Sequence, residues 1–313
     1  GLKSSGTDAS FQSIAFHSAD LAEQAAYRSR TVVGYFLHMQ AWLSALEKSA
    51  RKAGVKLARV DAPAGLELQE GGVRLVAERP IEARLLMIAA GSPVEIVTRL
   101  ALPVRSVPTS SLTICGLDVP VSPAQKRVLD KHLHVVALEG TDRLGVYFVA
   151  GGDLHVRIIF NTARVEASAA GQALRELIAE LAEAGLLPEG LDLARSEAAL
   201  WRPPAGVALD LETHLAKRTL LIGTAGGFAS ALTGQTLDAS IRSAEVAADV
   251  AARALDADRT QEILAEYKSL WRNELADRIR PPGTSAQMLL PMVLSNKAIT
   301  TRFARAFLEG QKL

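Results

Sequence analysis

Residues 218–244 constrain this chain more than any other stretch. The apolar run Leu220, Leu221, Ile222 leads straight into Gly223, Thr224, Ala225, Gly226 and Gly227. After a short spacer, Thr233 and Gly234 precede a long segment of Ala and Ser. An apolar run that ends in a glycine cluster reads as a buried strand closed by a tight turn. Ala239, Ser240, Ser243, Ala244, Ala247 and Ala248 read as a helix whose small side chains allow close packing on a sheet. Strand, glycine turn and helix start, in that order, make a place where backbone N–H groups converge on an anion or the polar edge of a cofactor. Glycines there let a ligand approach the main chain where a Cβ would block it.

The rest of the chain supplies a sheet for that unit to join. A short strand is expected over 11–16, and a helix over 34–53 with Tyr35, Met39, Trp42, Leu43 and Leu46 as its apolar stripe and Gly54 as its stop. A strand over 55–60 and a hairpin over 66–77, turning at Gly71 and Gly72, should follow. Residues 83–89 are nearly all apolar, as in buried parallel strands. The texture then changes. Runs at 112–117, 133–138, 144–149 and 154–160 are closely spaced, with Gly151-Gly152 as a hairpin signal, and suggest an antiparallel sheet. An amphipathic helix over 169–184 carries Leu174, Leu177, Ile178 and Leu181, and the stretch 201–206 (Trp-Arg-Pro-Pro-Ala-Gly) turns the chain back. Beyond Ala231 the pattern is helical, with a break at Pro281-Pro282-Gly283 and one or two final helices from Ser285.

The glycine-rich stretch resembles the C-terminal FAD-binding motif of flavoprotein hydroxylases, flavin-dependent halogenases and geranylgeranyl-reductase-like enzymes. In those families a strand ends in Gly-Asp-Ala-Ala-Gly-Phe, followed by a Pro and by Thr-Gly at the start of a helix. The matching residues are Gly223, Ala225, Gly227, Phe228, Thr233 and Gly234. The departures are Thr224 in place of Asp, Gly226 in place of Ala, and Ala231 in place of Pro. Elsewhere, Ala89-Ala90-Gly91 stands for the family's Ala-Asp-Gly, and Met39 stands where a helix Arg is expected. Two acidic groups are thus replaced, at Thr224 and Ala90. Tyr267 and Trp271 resemble the Tyr-x-x-x-Trp of the reductase branch, where it packs the C-terminal helices.

The resemblance implies an α/β chain: an FAD-binding, Rossmann-like parallel sheet, left incomplete, with an inserted antiparallel β-rich substrate domain and C-terminal helices. It divides the chain into a β segment (1–33), FAD-domain parts (34–101 and 205–260), a β-rich substrate domain (102–204) and a helical region (261–313). It implies FAD as cofactor, held by Gly223, Thr224, Ala225, Gly226, Gly227, Thr233, Gly234 and Gln235. The last three would bring N–H groups to the flavin ring edge, where partial positive charge stabilises the reduced anion. The implied activity is oxidoreduction, reductase- or monooxygenase-like, on a hydrophobic small molecule or lipid, with NAD(P)H as a possible electron donor. No residue stands out as a general acid or base.

One family element has no counterpart. No Gly-x-Gly-x-x-Gly precedes residue 11, nor does any occur elsewhere, and that turn is what holds the FAD pyrophosphate. Without its strands, those at 55, 83 and 220 would face a gap, with open edges and uncovered helix faces. The sequence therefore reads as a chain that lacks an N-terminal segment of ~30 residues or more, the size of a βαβ unit. The first residue, Gly rather than Met, suits a processing, cloning or fragment boundary. The competing reading is a non-catalytic, ligand-binding relative that has lost FAD.

The remaining features bound the function. A chain of 313 residues with 49% hydrophobic and 22% charged residues has room for a substantial core, and its net charge of +1 gives no reason to expect nucleic acid. The single Cys115 rules out an internal disulfide and suits the cytoplasm. The apolar stretch 288–294 is far shorter than the ~20 residues of a membrane span, and no secretory leader is visible. Lys297, Arg302 and Arg305 beside Phe303 and Phe307 allow at most peripheral contact with the inner face of a membrane; a helix covering the core is the favoured reading. His132 and His134, with His155, Asp130 and Asp153, are a weak metal-ligand set, and no metal is expected. Ser92 and Ser230 lack the partners of a serine nucleophile. Asp238 and Arg242 read as a salt bridge along one helix face.

Overall fold

The computed structural model describes residues 7–59, 64–102, 104, 106–129, 132–138, 143–257, 260–281, 283 and 286–309. Where one strand was expected over 11–16 there are two, β1 (Thr7–Phe11) and β2 (Ser13–His17). They part at Gln12, whose carbonyl accepts from Ser29 N at 2.7 Å, while Phe11 O accepts from Val33 N at 3.1 Å. β3 (Gln24–Arg28) lies antiparallel to β2, and β4 (Gly34–Leu37) antiparallel to β1. The first helix therefore starts later than expected, as α1 (Met39–Lys52), capped by the His38 imidazole on Ala41 N. Tyr35 falls on β4 instead. Gly54, at φ 89, closes the helix.

Residues 55–59 form no strand, and Val60 lies outside the described residues. β5 (Gly65–Leu68) and β6 (Val73–Val76) form the expected hairpin, extended to a three-stranded meander by β7 (Ile81–Ala83). The apolar run at 83–89 is split between β7 and β8 (Leu86–Ile88), in two different sheets. α2 (Pro93–Arg99) follows, opened by a reciprocal Ser92–Glu95 capping box. The middle of the chain gives β9 (Thr113–Pro120), α3 (Pro123–Val128), β10 (Leu133–Ala137), β11 (Arg143–Ala150), β12 (Asp153–Phe160) and α4 (Ala167–Glu183). After β13 (Ala199–Trp201) and α5 (Val207–Asp210) come β14 (Leu215–Ala216) and β15 (Thr219–Leu221). Among the described residues five helices follow: α6 (Leu237–Leu255), α7 (Thr260–Ala265), α8 (Tyr267–Ile279), α9 (Ala286–Ser295) and α10 (Lys297–Glu309).

The large sheet runs β13-β9-β12-β11-β10-β2-β3. It is mixed rather than antiparallel throughout, because β10 and β2 pair in parallel. Side chains alternate along each strand, so register decides what shares a face. One face carries Cys115, Leu117, Val119, Tyr147, Leu154, Val156 and Ile158 against Leu174, Leu177, Ile178 and Leu181 of α4. Cys115 is buried there, and burial pushes its thiol pKa up, as suits a structural cysteine. On the opposite face Ile14, Phe16 and Val135 meet Leu290, Val293 and Ala304 of α9 and α10, and the Phe16 and Phe303 rings stand edge to face at 5.4 Å. The C-terminal helices therefore cover the β10–β2–β3 end of this face.

The second layer is the three-stranded sheet β14-β15-β8, with β15 parallel to β8. Ala239, Ser243, Ala247 and Ala251 of α6 face inward, where α8 joins with Tyr267, Trp271, Leu275 and Ile279. Among the described residues β8 is paired on one side only. α1 fully buries none of its side chains, and Met39 and Leu43 are 47% and 51% exposed. Among the described residues, the α/β layer thus has a strand edge without a neighbour and a largely exposed helix face. No described helix is long and apolar enough to cross a membrane.

Candidate cofactor and substrate site

The glycine turn follows β15 directly, as one short helical turn over Gly223–Gly226. It sits against the end of β8 and the residue after it: Ile222 N donates to Ile88 O at 2.9 Å, and Thr224 Oγ1 to Ala89 O at 3.2 Å. Its amides are largely spent within the protein. Gly223 N donates to Ser243 Oγ at 3.0 Å, Gly226 N to Ile222 O at 3.1 Å and Gly227 N to Thr224 O at 3.1 Å. Gly223, Ala225, Gly226 and Gly227 are buried, and Thr224 is the part-exposed member.

The glycines also have a reason other than ligand clearance. A Cβ on Gly226 would fall 2.6 Å from the Phe228 ring, and one on Gly227 would fall 2.7 Å from Ala208 N. These residues are glycine because the protein's own backbone and rings occupy the space.

Beneath the turn lies an aromatic support. The His214 ring is 1% exposed, and its Nε2–H donates to Gly226 O at 2.8 Å. Burial pushes the His214 imidazole down to about 4, and the nearby Lys268 and Arg272 charges act in the same direction. Phe228 and Trp271 pack on it with centroids 5.1 and 5.0 Å away. Tyr267 donates its hydroxyl to Leu221 O or Ser243 O, each 3.3 Å distant, and burial raises its pKa. The Tyr267–Trp271 pair thus packs the C-terminal helices, as expected, and also underpins the turn. His214 and Ser243 carried no sequence signal, being separated in the chain from the groups they hold.

Thr233, Gly234 and Gln235 lie in a loop, and α6 begins only at Leu237. Gly234 has φ 68, and a Cβ there would fall 2.6 Å from Ile114 Cδ1, so the loop is pressed onto the large sheet. Leu232 N and Thr233 N share Ser230 Oγ at 3.3 Å each, and Gln235 N reaches Thr233 Oγ1 at 3.4 Å. These bonds are long, so a better acceptor could compete for the three amides.

The sheet face under this loop is the α4-distal one. Register places Trp201, Ile114, Ile159 and Leu144 in the row nearest Gly234. Leu112, Ile114, Ile159 and Ala205 form a buried apolar cluster here. One row further, Gly116 lies opposite Arg157; the next row pairs Asp118 with His155. His155 Nδ1 meets Asp118 Oδ1 at 2.8 Å, and Arg157 donates to the same oxygen. Burial would raise the Asp118 carboxyl, but the Arg157 hydrogen bond and charge, with His155, outweigh it and hold the carboxyl below its usual value.

The proposed histidine set does not assemble. His134 sits on the α4 side, stacked on Tyr147 at 4.1 Å and meeting His17 at 2.8 Å, whereas His155 is on the opposite face. Asp130 lies outside the described residues. No group of three metal-ligating side chains occurs among the described residues. Asp238 and Arg242 form the expected bridge at 3.0 Å, which Glu274 extends.

No family model matches this chain, and no curated protein does. Solved structures do. A geranylgeranyl bacteriochlorophyll reductase-like protein from Thermoplasma acidophilum superposes with TM-score 0.70 at 15% identity, over 98% of this chain and 82% of its own. The flavin-dependent halogenase CmlS gives TM-score 0.61 at 17% identity, over 87% of this chain and 51% of its own. HpxO from Klebsiella pneumoniae, crystallised with FAD and uric acid, gives 0.59 at 13% identity, over 99% of this chain and 79% of its own. The chain has the fold that these three structures share.

Proposed function

We propose that this chain is the larger part of an FAD-dependent oxidoreductase acting on a hydrophobic small molecule, with NAD(P)H as the source of electrons. The observation that carries the reading is the set of Leu232, Thr233 and Gln235 amides, on long hydrogen bonds, in the loop that Gly234 presses against Ile114, the residue whose row on the sheet also holds Ile159 and Leu144. Bound FAD would supply the redox chemistry. Thr233 and Gln235 would hold the flavin ring edge, and Thr224, the part-exposed member of the 223–227 turn, the ribityl side. The large sheet would provide the substrate wall and exclude water. These residues would serve the flavin half of the cofactor, and the described residues offer no cradle for the pyrophosphate. The open side of β8 and the exposed Met39 and Leu43 are suited to a further strand and helix, and we assign the missing cradle to such a βαβ unit.

The test is flavin content and FAD titration of the full-length gene product. Bound flavin is expected, and Thr224→Asp should tighten it. A full-length protein that takes up no FAD, with or without Thr224→Asp, refutes the reading and favours a binding protein that has lost the cofactor.

A further inference from the structure

The β13–β9–β12 half of the α4-distal face has a polar end. Near Gly234 the floor is apolar, and Trp201 stands 47% exposed at its rim. Two rows on, about 13 Å along the strands at 3.3–3.4 Å per residue, lie Asp118 and His155. Arg157, in the row between, lies flat across Gly116: a Cβ at Gly116 would fall 2.3 Å from Arg157 Cδ. The guanidinium is fixed there by Leu117 O at 2.8 Å and Val156 O at 2.9 Å, both accepting from one terminal nitrogen. Its other terminal nitrogen donates to Asp118 Oδ1. His155 approaches the same oxygen, and is held in turn by Ala150 O at 3.3 Å and by stacking on Phe148 at 4.8 Å. Phe148 stacks on Phe36 at 4.3 Å.

Everything in this arrangement points one carboxylate. Oδ1 of Asp118 is doubly engaged, while Oδ2 has no partner among the described residues, on a side chain that is 53% exposed. A surface ion pair built for stability alone needs no such seating and contributes little.

We propose that Asp118, oriented by Arg157 and His155, is the specificity-determining acceptor of this face. It would read a hydroxyl or amine at the far end of an otherwise apolar substrate. The assignment deepens the flavoenzyme reading by naming the substrate's chemistry. A carboxylate at that position is disfavoured by like charge.

The test is equilibrium dialysis of 2-naphthol, naphthalene and 2-naphthoate against the full-length protein. Wild type should bind 2-naphthol about tenfold or more tightly than naphthalene, the range of a hydrogen bond to a charged group, and 2-naphthoate most weakly. Asp118→Ala should erase the preference for 2-naphthol and leave naphthalene affinity as it was. Asp118→Asn, which keeps the shape and an acceptor, should lose only part of it. A preference that survives Asp118→Ala, or no binding of any probe by a folded wild-type protein, overturns the proposal. Flavin content is read on the same samples. A flavin-free protein that still reads the hydroxyl through Asp118 refutes the flavoenzyme reading and leaves this one standing. A flavin-loaded protein indifferent to Asp118 does the reverse.

Discussion

Gly227→Ala separates two reasons for the glycines of the 223–227 turn. At φ 78, an alanine would pay the left-handed penalty of ~1–2 kcal/mol. Its Cβ would also fall 2.7 Å from Ala208 N and 2.8 Å from Val207 Cγ1, on the backbone that Gly227 O itself holds at 3.1 Å. Backbone cannot swing aside as a side-chain end can, so overpacking adds roughly 1–3 kcal/mol. Together these give a loss of about 2–5 kcal/mol, or roughly 3–8 °C in melting temperature for a chain of this size. Gly185 is the control: its φ is 70, and nothing lies within 4 Å of its Cβ position. Gly185→Ala should therefore show the conformational part alone. Urea and thermal unfolding of both variants measure the difference. Equal losses would refute the close-packing account. A Gly227→Ala protein with unchanged stability but abolished FAD binding would restore ligand clearance as the reason for that glycine.

Two further outcomes follow from the geometry. His214 carries fewer protons when folded (pKa about 4) than when unfolded (6.5), so its contribution is complete above pH 6.5 and is lost as pH falls towards 4. That amounts to about 3 kcal/mol, and His214→Gln should flatten the stability–pH slope in this window; a slope unchanged by the substitution would show that His214 does not set it. The β14–β15 hairpin turns on Lys217 and Arg218 at φ 48 and 55, where Asn-Gly would be usual. Arg218→Gly should raise stability by ~0.5–1 kcal/mol, strain relief exceeding the added unfolded-state entropy, and a lower melting temperature would count against strain at this turn.

Much of the fold could be read because it is local. The runs at 133–138, 144–149 and 154–160 became β10, β11 and β12 almost residue for residue, since alternation and glycine turns are written in adjacent positions. The glycine turn after β15 was equally plain. Partner choice was not. Gln12 divides an apolar-looking stretch because Ser29 N and Val33 N claim the Gln12 and Phe11 carbonyls, and β10 takes β2 as a parallel neighbour across more than a hundred residues. The site shows the same division. Its turn residues were visible in sequence, whereas the His214 contact to Gly226 and the meeting of Asp118 with Arg157 and His155 depend on register and layer packing.

Gly116 gives this face an unusual evolutionary lever. Any other residue at that position would lift the Arg157 side chain from its bed, since even a methyl group would overlap Cδ and Nε at 2.3 and 2.6 Å. The guanidinium would then leave the Leu117 and Val156 carbonyls, and Asp118 would keep His155 alone of its two partners. A single codon change at a residue with no side chain of its own would in this way loosen the one carboxylate this face seats, leaving the glycine turn as it is.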